Sequence, residues 1–200
     1  MSSVGLSASS AASSLMDKVL DFPEKNKPKI VIFDCDFTIW PYWADYHLEP
    51  PWKKTKDGNI VDKCGEDIKL YDDIPKIIQF LNHHNIPMAI ASKSPETKSY
   101  KHLMELFDIK KYFVQFEIYY NSKDHHMRAI SNGQNVDFND MVFFDDEPDN
   151  IKTTSKIGVT AIHCPNNKGV TFDLFTQALK KHDAKINGNY RNVNANKIKR

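Results

Sequence analysis

Short apolar runs alternate along the chain with segments in which apolar residues recur at helical spacing. The apolar runs predict strands over residues 29–34, 86–92, 112–119, 141–146 and 158–164. The segments with helical spacing predict helices over residues 74–84, 94–107, 123–132, 149–157 and 172–182. Continuous apolar strands separated by helices are typical of a parallel sheet that is covered on both faces. The pattern therefore predicts an α/β fold, a three-layer sandwich around a mostly parallel central sheet.

The helix predicted over 94–107 has a recognisable start. Ser94 belongs to the residue types that cap helix N-termini, and Pro95 suits the first helical position because its missing N–H has no partner there in any case. We therefore expect Ser94 to be the N-cap of this helix.

One segment, residues 37–71, interrupts the alternation. It is rich in aromatic residues and prolines, and it contains the turn-forming dipeptide Asp57-Gly58. We interpret it as a flap that carries a small hairpin and stands over the end of the first strand. Its three tryptophans lie at positions 40, 43 and 52. Tryptophans could line a substrate entrance or anchor the flap to the core, and the sequence leaves both interpretations open.

The two ends of the chain differ from the alternating region. Residues 1–28 begin with a Ser/Ala-rich stretch that has little apolar surface to bury, which predicts a disordered tail. Residues 183–200 are polar, Asn-rich and basic, and they predict a second disordered tail. Residues 29–182 are long enough for one core of ordinary size, so we expect a single domain there.

Composition and charge narrow the class of protein. Lys and Arg number 27 and Asp and Glu number 26, so the chain has no overall field that would attract nucleic acid or a membrane. No apolar run approaches the about 18 residues of a membrane-spanning helix. Three cysteines show neither a disulfide pattern nor the spacing of a metal site. We expect a cytoplasmic monomer with access to the nucleus and with no nucleic-acid or membrane partner.

Polar side chains follow four of the predicted strands at their carboxyl ends. In strand order they are "DCDFT" at 34–38, Ser92-Lys93, Lys123, and Asp145-Asp146. Because the carboxyl ends of parallel strands meet at one edge of a sheet, we expect these groups to lie close together. Each group alone has an ordinary structural explanation, such as a helix cap or a surface lysine. Four such groups at one edge of the sheet indicate a functional site.

The chemistry of these side chains points to phosphoryl transfer. Several adjacent carboxylates repel one another and raise each other's pKa values unless a cation lies between them, and Mg²⁺ prefers such oxygen ligands. With Mg²⁺ and Lys123 in place, the acidic edge can bind a phosphate dianion. Of two aspartates two residues apart, one can attack phosphorus, while the other protonates the leaving oxygen and later activates water.

The same residues resemble the four motifs of the haloacid-dehalogenase-like (HAD-like) hydrolases. "DCDFT" matches the first motif, DxDx[TV], and the second to fourth motifs are resembled by Ser92, Lys123 and Asp145-Asp146. Three longer stretches, "FDCDFTIWPYW", "ELFDIKKYFVQFEIYYNSK" and "MVFFDDEPDNI", are similar to the magnesium-dependent phosphatase-1 branch of that superfamily. The likeness covers roughly residues 29–182 and implies a Rossmann-like, HAD-type fold.

The resemblance implies roles for the acidic residues. Asp34 would be the nucleophile, forming an aspartyl-phosphate, and Asp36 the general acid and base. Mg²⁺ would be held by the Asp34 carboxylate, the Asp36 carbonyl and Asp146, with Asp145 behind them. Asn150, four residues after Asp146, could position this metal site or could belong to the start of a helix.

The resemblance also implies a phosphate-binding set, which would consist of Ser92, Lys93, Lys123 and the backbone around Cys35. The branch usually carries arginine after the second-motif serine, and this chain has lysine there. Lysine keeps the positive charge but lacks the bidentate fork of arginine, which affects substrate affinity or preference.

The spacing of the motifs predicts an open site. The chain between Thr38 and Ser92 has room for a flap and one core helix, and the chain between Lys123 and Asp145 for one helix and its connection. Neither segment can hold a full cap domain. The substrate would be a phosphorylated small molecule or a phosphoprotein. The resemblance associates the branch with phosphotyrosine and with sugar or fructosamine phosphates, and the sequence does not choose between them.

Two other functions use a similar constellation. A phospho-accepting signalling domain also places aspartates and lysine at the rim of a parallel sheet, but there the acidic pair would be adjacent on the first strand. Here the first strand offers a spaced pair, which favours the enzyme. A catalytically silent HAD-like binding module is the second alternative, and the presence of all four motif groups weighs against it.

Overall fold

The computed structural model describes residues 26–165 and 167–198, with side chains as far as Gly188. The strands in this part are β1 (Ile30–Phe33), β2 (Lys53–Lys54), β3 (Ile60–Val61), β4 (Asp67–Ile68), β5 (Met88–Ser92), β6 (Phe113–Ile118), β7 (Met141–Asp145) and β8 (Thr160–His163). The α-helices are α1 (Ala44–His47), α2 (Ile74–His83), α3 (Thr97–Leu106), α4 (Lys123–Gln134), α5 (Pro148–Lys156) and α6 (Phe172–Ile198). Within the described residues, no helix combines the length and apolar character needed to cross a membrane.

The central sheet is parallel throughout, which confirms the prediction. Its five strands lie in the order β6-β5-β1-β7-β8, and Val31 of β1 pairs with Met88 of β5 on one side and with Val142 of β7 on the other. The chain leaves β1 toward β5 and β6 and then returns to β7 on the opposite side. Such a reversal of strand order opens a crevice at the carboxyl ends of the strands, where ligands bind in this class of fold.

Alternate residues of β1 enter two separate cores. Val31 and Phe33 pack into a core that α2, α3 and α6 cover, whereas Ile30 and Ile32 pack into a core that α4 and α5 cover. All four side chains are buried, and each contributes about 1.5–3 kcal/mol of transfer free energy. This two-sided burial explains why the strand reads as a continuous apolar run, and it confirms the three-layer sandwich.

The flap, residues 37–71, consists of α1 and a small antiparallel sheet in the order β2-β3-β4. The turn between β2 and β3 contains Asp57-Gly58, and Gly58 has the positive φ of +89° that such turns require. The predicted hairpin is therefore confirmed, and β4 adds a third strand. Trp40 and Trp52 are buried and anchor the flap to the core.

Helix α3 starts later than predicted. It begins at Thr97, and Ser94 is not its N-cap. The Ser94 hydroxyl instead accepts a hydrogen bond from the Glu96 N–H (3.1 Å) and donates one to Asp45 of α1 (3.0 Å). The side chain is thus used in the loop before the helix, where it ties that loop to the flap.

Helix α6 continues beyond its predicted end at residue 182 and runs to Ile198. The sequence predicted the start of a disordered tail at 183, where the structure continues the helix. Asn26 donates hydrogen bonds to Asp183 (2.6 Å) and Asn187 (3.0 Å), which fasten the extended helix to the start of the domain. These contacts are polar, so the apolar periodicity of the sequence did not reveal them.

A lysine on the same extension binds β8 and the residues just before it. The Lys185 ammonium donates to the Gly158 carbonyl and lies 3.3 Å from the Thr160 hydroxyl. Of the predicted N-terminal tail, residues 1–25 lie outside the described residues.

Candidate active site

A cavity of about 410 Å³ opens at the carboxyl edge of the central sheet. Six of the seven residues predicted for the site line it: Asp34, Asp36, Ser92, Lys93, Lys123 and Asp146. The predicted convergence of four strand ends is therefore what the structure shows. The seventh residue, Cys35, has its side chain in the core.

Asp34 and Lys123 form the centre of the cavity floor. Asp34 directly follows β1, and its N–H donates to the Phe144 carbonyl of β7 (2.9 Å), which extends the sheet to the site. Lys123 is the first residue of α4 and is buried. Its ammonium contacts Asp34 Oδ1 (2.5 Å), the Ala91 carbonyl (2.5 Å) and Asp145 Oδ2 (3.0 Å). These three partners use all three of its N–H donors, so the side chain is fixed.

The charges of this group are strongly coupled. Burial works against the charged form of Lys123, but attraction from Asp34 and Asp145 outweighs it and raises the lysine pKa, so the ammonium stays protonated. Burial raises the pKa of Asp34. Attraction from Lys123 lowers this pKa, and repulsion from Asp145 raises it further. The net effect is a pKa of Asp34 well above its ordinary value. One buried lysine therefore does not neutralise the surrounding acids.

Three carboxylates meet closely enough to share a cation. Asp34, Asp145 and Asp146 each offer an oxygen, and these oxygens lie within 4.8 Å of one another. Burial, followed by repulsion from Asp145, raises the pKa of Asp146 to about 6. Three acids around one lysine leave an excess of negative charge on hard oxygen ligands. This donor set fits a divalent cation such as Mg²⁺.

Asp145 is the most heavily bonded of the three. Besides Lys123, it accepts the Glu147 N–H on Oδ1 (2.8 Å) and the Asn150 amide, which lies 3.0 Å from both of its oxygens. Asn150 lies on α5 and is buried. Of the two roles left open for Asn150, the contacts therefore favour positioning the acidic cluster. With these partners, Asp145 is held behind the other two acids.

The Asp36 carboxylate points into a separate set of donors. Trp40 Nε1 (2.7 Å) and the Ala44 N–H (3.1 Å) donate to Oδ1, and the Tyr100 hydroxyl (2.5 Å) donates to Oδ2. Burial raises the pKa of Asp36, and the hydrogen bonds from Tyr100 and Trp40 oppose that rise. The residue after it, Phe37, has an unusual φ of +50°, which marks a constrained turn at the end of the first motif. The sequence offered no signal for Tyr100, which comes from another helix.

Ser92 and Lys93, two further residues of the predicted phosphate-binding set, also line the cavity. Ser92 is buried at the end of β5, and its Oγ accepts the Ser94 N–H (3.3 Å). Lys93 is partly exposed, and its ammonium lies 3.6 Å from a Glu147 carboxylate oxygen. The Cys35 thiol is buried, and burial followed by repulsion from Asp34 raises its pKa, so it is an unreactive packing group.

Two exposed aromatic side chains contribute to the lining of the cavity. Trp43 is 55% exposed and Tyr120 is 86% exposed, and both line the cavity. Both roles considered for the flap tryptophans therefore occur. Trp40 and Trp52 anchor the flap to the core, whereas Trp43 is exposed and lines the cavity.

Sequence comparison points to phosphatases. The acid phosphatase family matches residues 26–185. Magnesium-dependent phosphatase 1 of Homo sapiens is 40% identical over 153 residues, which cover 76% of this chain and 86% of that protein. A HAD-like hydrolase superfamily protein of Schizosaccharomyces pombe is 34% identical over 144 residues, which cover 66% of this chain and 83% of that protein.

Structural comparison agrees at the level of the fold. A phosphatase domain from Bacteroides fragilis, solved in complex with Mg, has a TM-score of 0.56 at 19% identity; the match covers 82% of this chain and 42% of that one. A HAD-superfamily hydrolase from Ehrlichia chaffeensis has a TM-score of 0.57 at 13% identity, with 78% and 97% covered. With the motif residues gathered at one sheet edge, these matches confirm the resemblance: the chain belongs to the acid phosphatase family of HAD-like hydrolases.

Proposed function

We propose that the protein is a Mg²⁺-dependent phosphatase that hydrolyses phosphomonoesters. The observation that carries this proposal is the placement of Asp34 between the protonated Lys123 and the acidic pair Asp145-Asp146. The acidic group needs a cation, and a cation together with the lysine attracts a phosphate dianion. The acid phosphatase family and the relative named magnesium-dependent phosphatase 1 support the same class.

Asp34 is the nucleophile in this proposal. Its carboxylate attacks phosphorus, so that a bond forms between an Asp34 oxygen and phosphorus while the bond to the leaving oxygen breaks. Asp36 gives its proton to that leaving oxygen. It then takes a proton from water, whose oxygen attacks phosphorus and releases Asp34 and inorganic phosphate.

The acidic cluster would hold Mg²⁺ through the carboxylates of Asp34 and Asp146 and the carbonyl of Asp36. When bound, the ion supplies positive charge that neutralises the carboxylates and stabilises negative charge on the transferring group. Lys123 contributes a fixed charge to the same region, and the Asn150 amide keeps Asp145 oriented behind it.

Phosphate oxygens would be bound by Ser92, Lys93, Lys123 and the backbone near Cys35. Lys93 is free to move because its side chain is partly exposed and its ion pair with Glu147 is long (3.6 Å). A lysine binds phosphate as a point charge and not as a bidentate fork, which makes its grip less dependent on orientation.

The leaving group would be a ring system presented at an open mouth. Phosphotyrosine and sugar or fructosamine phosphates are the two candidate substrates, and the exposed rings of Trp43 and Tyr120 offer flat surfaces to either. The flap carries only one short helix and six strand residues, which supports access for a phosphate on a protein surface. A screen of phosphotyrosine peptides against sugar and fructosamine phosphates, at matched Mg²⁺, would separate the two classes.

The central test is hydrolysis of p-nitrophenyl phosphate. Phosphate release should require Mg²⁺, stop on chelation and be abolished by Asp34→Asn, because the amide is not a nucleophile. Asp108→Asn is the matched control, since Asp108 is an exposed residue that pairs with Lys111 (2.6 Å) and does not line the cavity. Unchanged turnover in Asp34→Asn would refute the nucleophile assignment.

The alternatives predict a different time course. A phospho-accepting signalling domain or a silent binding module would give a long-lived phosphorylated Asp34 or no reaction, without repeated release of phosphate. Monomeric state, cytoplasmic location with nuclear access, and the lack of nucleic-acid and membrane partners stay predictions.

A further inference from the structure

The Asp36 carboxylate is held by donors on both of its oxygens. Trp40 Nε1 and the Ala44 N–H, which both come from the flap, donate to Oδ1 at 2.7 and 3.1 Å. The Tyr100 hydroxyl, which comes from α3, donates to Oδ2 at 2.5 Å. Trp40 and Tyr100 are fully buried, and their rings pack with centroids 5.5 Å apart and planes at 66°. The donors are therefore held by packing and cannot follow a moving carboxylate.

Three hydrogen bonds leave one acceptor position on this carboxylate. A carboxylate offers roughly four such positions, two on each oxygen. Both positions of Oδ1 are taken by Trp40 and Ala44, and one position of Oδ2 is taken by Tyr100. Asp36 lines the cavity, whereas Trp40 and Tyr100 are not among the lining residues. The remaining position of Oδ2 is where Asp36 can carry the proton that it exchanges with the substrate.

We infer that Tyr100 is a positioning residue for Asp36, an inference that rests on the phosphatase function proposed above. Its hydroxyl sets the rotation of the carboxyl group and thereby directs the proton-carrying position of Oδ2 at the leaving oxygen. Among the donors in the described part of the chain, Tyr100 is the one that binds Oδ2. Tyr100 does not touch the substrate in this scheme and acts through Asp36 alone.

If Tyr100 positions Asp36, the effect of removing its hydroxyl should depend on the leaving group of the substrate. An alkoxide leaves poorly unless it is protonated, so an alkyl phosphate depends on a well-placed general acid. A 2,4-dinitrophenolate leaves without a proton, so its phosphate ester reacts whether or not the acid is well placed. Loss of the Tyr100 hydroxyl should therefore slow the first substrate much more than the second.

The experiment compares ethyl phosphate with 2,4-dinitrophenyl phosphate in the full chain with Mg²⁺. Tyr100→Phe should lower kcat/KM for ethyl phosphate about 10-fold and kcat/KM for the dinitrophenyl ester less than about 2-fold. The ratio kcat/KM covers only the steps up to departure of the leaving group, so it is independent of the later attack of water that Asp36 also assists. Tyr42→Phe is the matched control, because its hydroxyl donates to the Asp67 carbonyl in the flap (3.1 Å). That variant should leave both rates unchanged.

An equal loss of kcat/KM with both substrates, or no loss with either, would overturn the inference. A wild-type protein that hydrolyses neither ester would instead overturn the proposed function, so the two failures are distinguishable. Thermal unfolding of each variant identifies any that fail to fold. The comparison is repeated in Asp36→Asn, whose amide cannot deliver a proton to the leaving oxygen. There Tyr100→Phe should leave the ratio of the two rates unchanged, and a further drop in that ratio would contradict a role through Asp36.

Discussion

Lys123 shows how closely a single side chain couples stability to chemistry in this protein. Its ammonium is buried beside Asp34 and Asp145, and it also bonds the Ala91 carbonyl. A cation this deeply buried is tolerated only because all of its donors have partners. The same contacts place its charge where the proposed phosphate group would bind.

Removing this charge should destabilise the fold. Lys123→Met leaves Asp34 and Asp145 facing each other without a counter-ion, so we expect the free energy of unfolding to fall by about 3 kcal/mol or more. Urea denaturation in the absence of divalent cations measures this loss. Lys110→Met is the control, because it breaks an exposed pair with Glu105 (2.5 Å), which solvent screens, so the free energy of unfolding should change far less. Equal losses of unfolding free energy in the two variants would show that the buried ion pair contributes no more to stability than the exposed one.

At the scale of elements, the motif loop after β1 is held from outside the sheet. Val170, just before α6, donates its N–H to the Thr38 carbonyl (3.1 Å). The neighbouring Gly169 has a φ of +58°, and a Cβ there would lie 2.1 Å from the Tyr71 ring and 2.7 Å from the Thr38 carbonyl oxygen. Only glycine allows the loop to approach the first motif this closely.

A methyl group at this position should therefore push the two elements apart. Gly169→Ala should lower the free energy of unfolding by about 3 kcal/mol, because it adds a clash with Tyr71 to the strain of a positive φ. Gly65→Ala is the matched control, since Gly65 has a φ of +90° and a Cβ there would meet no atom within 4 Å; backbone strain alone should cost about 1–2 kcal/mol. Thermal or urea unfolding measures both losses. Similar losses of stability in the two variants would contradict the close approach of Gly169 to Tyr71 and Thr38.

The elements also show where sequence patterns stop being informative. The central strands β1, β5 and β7 are easily recognised in the sequence because all of their residues are buried, on both faces of the sheet. The end of α6 is not, because its extension is held by Asn26 and Lys185 through polar bonds that leave no periodic pattern. The start of α3 was misplaced for a similar reason: Ser94 matches a helix cap in type, yet in the fold its hydroxyl binds Asp45.

For the whole molecule, the acidic cluster should couple metal binding to stability. A ligand that binds the folded chain alone stabilises it by about 1.4 kcal/mol when its free concentration is tenfold above Kd, which raises Tm by several degrees in a domain of this size. We therefore expect Mg²⁺ to raise Tm of the wild type. Asp146→Asn should lose most of this shift, because it removes one carboxylate of the cluster.

Differential scanning fluorimetry with Mg²⁺ and with chelator measures both shifts. Asp108→Asn again serves as the control and should respond to Mg²⁺ like the wild type, since its carboxylate pairs with Lys111 on the surface. A full shift in Asp146→Asn would contradict a metal site at this cluster.

Local patterns in the chain were enough to predict the parallel sheet, the position of the flap and the identity of the groups at the sheet edge. This was possible because strand ends in a parallel sheet share one edge. The acidic residues at two of these ends, in "DCDFT" at 34–38 and in Asp145-Asp146, also lie within short motifs that are readable in the sequence. The hydrogen-bond and ion-pair partners of these groups, in contrast, depend on how the elements pack in the folded chain. Asp36 and Tyr100 are separated by 64 positions, and their contact arises because α3 packs beside the flap, a fact that no local pattern in the chain encodes.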